Sequence, residues 1–382
     1  MSYSETSLDR GIPLTNSRAL TIARRGIAEL SGRAIDSILF RRGLRPILSK
    51  VLPFDAFCVN TADPATLLVT GSVGDGLPAE LATRIFEIEY LEPDFCKLRD
   101  LASSSSNVAV LGHETRNCPE RSVRMRDVLL PLGYAHELRC ALLVGGCCWG
   151  YLHLLRNRSR PDFSVAEAEL IQCLSAEIAL ALRVSLLRGA PADSEPEGPG
   201  LVLFSTDCRS VDSMNGAAER WLHELSGELC EPLPHSICAV VQQARGARDG
   251  AAPAAISRLR TGKGLWLTVH GTQLGERVAV VLERGQPHEV ASMVLSAHDL
   301  SPREGGVAQL LLRGMSNEDI ALNLKISVYT VKDHIKAIFR KTGIASRSEL
   351  GARLFAGQYL PRIARREPLA ASGWFVSKPE GA

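Results

Sequence analysis

Residues 189–200 read GAPADSEPEGPG, and this stretch limits what the chain can fold into more than any other. Proline, glycine and acidic residues fill it without any apolar periodicity, so it should be extended and flexible, and no core element should cross it. The residues on either side must therefore bury their own apolar surface. A chain of 382 residues has room for two or three domains at about 100–200 residues each. A weaker break, RGQPHE at 284–289, divides the second half. The expected organisation is a first domain at 17–188, a linker at 189–199, a second domain at 200–284 and a third at 296–357. No repeat at a solenoid period is present.

Composition narrows the function classes. Hydrophobic residues make up 45% and charged residues 23% of the chain, as in ordinary soluble globular proteins. No apolar run approaches the ~20 residues of a membrane span. The N-terminal MSYSETSLDR lacks the basic-then-apolar layout of a signal peptide. A cytoplasmic protein without a membrane partner is expected. The ten cysteines are scattered and none has C-x-x-C spacing, so no metal site is expected. Cys140 in LRCALLV and Cys173 in LIQCLSA read as small buried hydrophobes, and Cys147–Cys148 is the alternative, a thiol sensor. The net charge of +2 hides an asymmetry. Residues 296–366 carry twelve Lys plus Arg against six Asp plus Glu, while the first 295 residues sum to −3. A basic C-terminal module behind an acidic body favours a nucleic-acid partner.

The first block opens on a helical pattern, TIARRGIAELSGRAIDSILF, followed by the strand-like AFCVNTA, TLLVTGSV and NVAVLG. ELRCALLVGGCCWGYLHLLRN reads as a hairpin turning at Gly145–Gly146. A long closing helix carries Leu170, Leu174, Ile178 and Leu182 every four residues, a stripe that fits either its own sheet or a second copy of the chain. Together these make an α+β unit. The run GYLHLLRN followed by FSVAEAELIQCLSAEIALAL resembles the end of a GAF domain, a small-molecule sensory module. That likeness implies a small-molecule ligand and pairing through the closing helix, and it specifies no cofactor. The second block reads as strand, turn, strand and helix, with a late strand pair KGLWLTVHGTQLGERVAVVLER. With Asn215–Gly216 leading into AAERWL, it resembles a degenerate α+β PAS domain. A buried ligand and a structural spacer both stay open for it.

From His298 the residues read HDLSPREGGVAQLLLRGMSNEDIALNLKISVYTVKDHIKAIFRKTGIASRSELGARLF. Four helices are expected. Ser301 caps the first, with Pro302 at the favoured first position, Glu304 at the third and Gly314 as the stop. Ser316 with Asp319 caps the second, which buries Ile320, Ala321 and Leu324. After a turn at Lys325–Ile326, Ser327 caps the third. Its β-branched first turn costs only about a few tenths of a kcal/mol per residue. At 100° per residue, Val331, Ile335, Ile338 and Phe339 form an inner stripe, with Tyr329, Asp333, Lys336 and Arg340 pointing away and Thr330 and Lys332 on the flanks. A basic, polar face on a short helix behind another short helix is the layout of a helix-turn-helix. Lys332 can reach phosphate or guanine acceptors, whereas Asp333 can only accept, from a donor such as cytosine N4.

The segments LSPRE at 300–304, GMSNEDIA at 314–321, ISVYTVKDHI at 326–335, FRKTGI at 339–344 and SRSEL at 346–350 resemble the LuxR/FixJ-type DNA-binding domain. The resemblance implies an all-α four-helix domain whose third helix enters the major groove of double-stranded DNA. It implies a fourth helix, around Leu350–Phe355, that supports homodimerisation, with Lys332, Asp333 and Lys336 facing bases and Thr330 holding the backbone. One departure is Gly305–Gly306, where the family has a glutamate before Val307. Two glycines inside a helix cost about 2 kcal/mol relative to alanine, and the lost carboxylate takes away a candidate ion pair. The expected function is transcription regulation, with the N-terminal region controlling the helix-turn-helix. The alternative is a C-terminal bundle that binds a protein. An enzyme is not expected. RLRTGKG lacks the upstream glycine and final hydroxyl of a phosphate loop, neither H-E-x-x-H nor G-x-S-x-G occurs, and His113–Glu114 reads as a solvated pair in a loop.

Overall fold

The computed structural model describes residues 14–33, 36–187, 198–226, 233–247, 255–285, 300–312, 314–342 and 346. The expected linker therefore lies almost entirely outside the described residues, as does the expected fourth helix around Leu350–Phe355.

The first unit contains helices α1 (Leu14–Gly32), α2 (Ser37–Leu48), α3 (Ala82–Leu91), α4 (Leu98–Ser103), α5 (Leu111–Glu114) and α6 (Val165–Leu187). Its strands are β1 (Ala56–Ala62), β2 (Val69–Asp75), β3 (Val108–Val110), β4 (Tyr134–Val144) and β5 (Cys147–Asn157). They form one antiparallel sheet in the order β2-β1-β5-β4-β3. The expected hairpin joins β4 to β5. Gly145 and Gly146 adopt φ of 61° and 75°, and Val144 pairs with Cys147 across them. Two consecutive positive φ angles make the turn whose twist matches the strands.

Helix α6 packs across the sheet with α1 lying along it. Leu174, Ile178 and Leu182 are fully buried and Leu170 nearly so, in one core with Leu44, Leu48, Val59 and Leu152. The four-residue stripe belongs to the unit's own core, so it offers no face to a second copy. Cys140 is buried as expected, but Cys173 is exposed. Burial pushes the Cys148 thiol up to about 11, which leaves it protonated and a poor nucleophile at neutral pH. His113 and Glu114 sit on the short helix α5, not in a loop, and both are solvated.

The second unit comprises β6 (Gly200–Phe204), β7 (Val211–Met214), α7 (Gly216–Ser226), α8 (His235–Gly246), β8 (Ala255–Arg260), β9 (Trp266–Leu274) and β10 (Arg277–Arg284). Its antiparallel order is β7-β6-β10-β9-β8, the same order as the first sheet when strands are counted within each unit. Asn215 Oδ1 accepts from the Ala218 and Leu201 N–H groups, capping α7 and tying its start to β6.

Helix α8 joins the two units. Every residue from Ser236 to Ala244 is buried, the mark of a helix packed on all sides. Ile237, Val240, Val241 and Ala244 pack with Leu267, Val269 and Val280 of the second sheet. Cys238 and Ala239 pack with Val69, Ala82 and Phe86 of the first unit. Arg258 pairs with the fully buried Asp63 at 3.1 Å, and Arg245 pairs with Glu87 at 3.0 Å. Through α8 the two units thus share a continuous apolar contact.

Candidate nucleic-acid interface

Among the described residues, three helices carry the C-terminal block: α9 (Pro302–Leu312), α10 (Asn317–Leu324) and α11 (Val328–Thr342). Local chemistry sets the start of each. Ser301 Oγ accepts from the Glu304 N–H at 3.3 Å while the Glu304 carboxylate accepts from the Ser301 N–H at 2.6 Å, a reciprocal cap. Ser316 and Asp319 repeat the device at α10. Ser327 Oγ accepts from the Thr330 N–H at 3.0 Å at α11.

The stops are equally local. Gly314, at φ 81°, ends α9. Lys325 takes the left-handed conformation at φ 53°, its N–H bonding the Ala321 and Leu322 carbonyls, and the Ile326 N–H also reaches Ala321 O. Three residues, Lys325 to Ser327, thereby turn the chain from α10 into α11.

Val307, Ala308, Ile320, Val331 and Ile338 are buried together, and Ile335 and Phe339 pack partly buried against them. This fixes the rotation of α11. Tyr329 is 75% exposed, and Lys332, Asp333, Lys336 and Arg340 are all exposed. At 100° per residue these five fall within an arc of about 100°. Thr330 is half-buried at its edge, its hydroxyl 2.8 Å from Ser327 Oγ. Arg340 and Lys341 in the last turn complement the negative end of the helix. All six candidate residues thus lie on one short helix, five of them on one outward face.

The glycine pair does not break the first helix. α9 runs unbroken through Gly305 and Gly306, and the glutamate that precedes them, Glu304, makes an ion pair of its own. Lys341 Nζ, at the end of α11, lies 2.7 Å from the largely buried Glu304 carboxylate at the start of α9. Burial alone would raise the Glu304 pKa; the Lys341 ammonium and the Ser301 groups overcome that and hold it below the ordinary value. This strut between α9 and α11 was missed from the sequence, because no local pattern links positions 37 residues apart.

Residues 298–353 match the luxR family of bacterial regulatory proteins. The C-terminal domain is a LuxR-type helix-turn-helix. A response regulator, Rre1, of Synechocystis is 44% identical over 52 residues, which cover 14% of this chain and 22% of that protein. A protein of Mycobacterium bovis, provisionally named an HTH-type transcriptional regulator, is 27% identical over 183 residues, or 44% of this chain and 20% of the relative. The chain spans about a fifth of the length of these relatives. Among solved structures, the GAF domain of a phosphoenolpyruvate-protein phosphotransferase from Coxiella burnetii aligns with 44% of this chain and 94% of its own length. The identity is 16% and the TM-score 0.29, a value at which the likeness decides nothing about the fold. No helix among the described residues is long and apolar enough to cross a membrane.

Proposed function

We propose that the protein is a sequence-specific, DNA-binding transcriptional regulator of the cytoplasm, in which the first two units sense a signal and control the LuxR-type domain. The observation that carries this reading is the exposed arc of α11. A helix whose opposite stripe is locked into a small core presents its outward side chains without the freedom to rotate away. Placed in the major groove, Lys336 and Asp333 read base edges, Lys336 donating to guanine and Asp333 accepting from cytosine. Lys332 donates to a base or to the backbone, and Thr330 at the edge of the arc positions the phosphates. Tyr329 and Arg340 extend the contact at the two ends of this face along the helix axis. Two copies acting together would read two half-sites, so a homodimer on double-stranded DNA belongs to this proposal. A GAF-like first unit and a PAS-like second unit are its sensory parts, without catalysis.

The experiment is binding of the purified full chain to random-sequence duplex DNA at several salt concentrations. Neutralised phosphates release counterions, so affinity should fall steeply as salt rises. A folded protein whose α11 face shows no salt-sensitive DNA binding, yet captures a protein partner, would overturn the proposal.

A further inference from the structure

The first unit holds a cavity of about 250 Å³ between its sheet and α3, and one wall comes from the second unit. Its mouth lies at the exposed Gly74, Asp75, Pro78 and Ala79. Leu77, Ile85, Phe86, Leu98, Leu129 and Leu155 line most of it. His235, the first residue of α8, completes the wall, its ring 5.8 Å from Phe86 and edge-on to it. A cavity of about 150 Å³ holds benzene, so this one holds a single ring with a small substituent.

The charged groups around the cavity are already matched. Arg124 pairs with Asp94 at 2.8 Å and Glu137 at 2.6 Å, and Arg139 pairs with Glu89 at 2.8 Å and Glu137 at 3.0 Å. All five side chains are buried. Burial would raise the Glu137 carboxyl, but the two guanidinium groups bring it down to about 2, so it stays ionised. The buried Arg41, which donates to the Ser37 and Val59 carbonyls, brings the local charge to three cations against three carboxylates. An ionic ligand would lose its hydration here in a site whose buried charges already sum to zero.

Of the imidazoles that line the cavity, His153 is the one whose donor and acceptor roles a neighbour fixes. Asn60 Nδ2 lies 3.1 Å from His153 Nε2, and the Cys58 thiol donates to Asn60 Oδ1 at 3.2 Å. An amide nitrogen only donates, so His153 Nε2 accepts and the neutral ring carries its proton on Nδ1. Burial, and then the charge of Arg139, keep that ring neutral by holding its pKa well below the usual value. His153 lines the cavity, and its Nδ1–H has no hydrogen-bond partner among the described residues.

We propose that this cavity binds an uncharged, single-ring molecule with a hydrogen-bond acceptor, which takes the His153 Nδ1–H while His235 closes over it. Occupancy then tightens α8, and with it the second unit, against the first. The proposal rests on the sensory part of the function above and names its ligand class and the helix that responds.

The test uses the full chain and four single-ring probes: acetophenone, toluene, benzoate and benzylammonium. Calorimetry should show acetophenone binding about tenfold more tightly than toluene, the effect of one hydrogen bond, and both ions binding more weakly still. Hydrogen exchange should slow across 235–246 when acetophenone is present. His153→Phe should bind acetophenone and toluene equally; if that variant fails to fold, the wild-type probe series decides alone. Benzoate or benzylammonium binding as tightly as acetophenone, no binding of any probe, or binding without slowed exchange in α8 would overturn the proposal. None of these readouts involves DNA, so they leave the DNA-binding reading to stand or fall by its own experiment.

Discussion

Replacing Gly305 and Gly306 together by alanine should stabilise the C-terminal domain. Both lie inside α9, neither at a positive φ. A Cβ at Gly305 would meet nothing within 4 Å, and one at Gly306 would only touch Leu324 Cδ2 at 4.0 Å. No steric term therefore opposes the propensity gain of roughly 0.8–1.0 kcal/mol per residue, giving a total of about 2 kcal/mol. The assay is urea denaturation of a fragment from residue 288 onward, followed by helical circular dichroism. With a slope of about 1 kcal/mol/M for so small a domain, the midpoint should rise by about 2 M. DNA affinity should not change, since neither glycine belongs to the outward arc of α11. An unchanged or lower midpoint would refute the reasoning, because it would mean that α9 is not the unbroken, uncrowded helix described.

Leu174→Asp should unfold the first unit, because a carboxylate would replace a fully buried side chain; a folded monomer by sedimentation and circular dichroism would return the α6 stripe to a dimer interface. Lys325→Gly should leave the C-terminal domain as stable or gain about 1 kcal/mol, since glycine holds φ 53° without the left-handed penalty; a lower urea midpoint would contradict this. Glu304, with its folded pKa below the ordinary 4.5, contributes stability that is complete above about pH 4.5 and lost as pH falls through the folded value. Lys341→Met should flatten that acid dependence in pH-resolved denaturation, and an unaltered acid limb would show that the strut does not form.

What could be read from the sequence follows how local each determinant is. The caps at Ser301, Ser316 and Ser327 and the hairpin at Gly145–Gly146 involve residues at most four apart, and each is found where its pattern places it. The outward arc of α11 was equally legible, because one buried stripe fixes the opposite face. The α6 stripe was legible as a stripe but not in its use, since the same spacing serves a sheet or a second copy. Helix α8 was hidden for a physical reason. SICAVVQQA has no exposed side because both units cover it, and even its polar Ser236, Gln242 and Gln243 are buried, so it lacks the one-sided pattern that marks a surface helix. The cavity was hidden as well: Asn60, His153 and His235 come together only through the sheet and the docking of α8. In ELR, residues 137–139, an alternating strand pattern conceals two members of a buried ion network.

The most direct test of the central claim is selection of binding sites from random duplex DNA by the wild type, Asp333→Ala and Lys336→Ala. Each variant should fold and bind but relax its preference at one position of the site, at a cost of about 1–3 kcal/mol there. Identical site preferences from all three proteins would contradict the claim that this face of α11 reads bases.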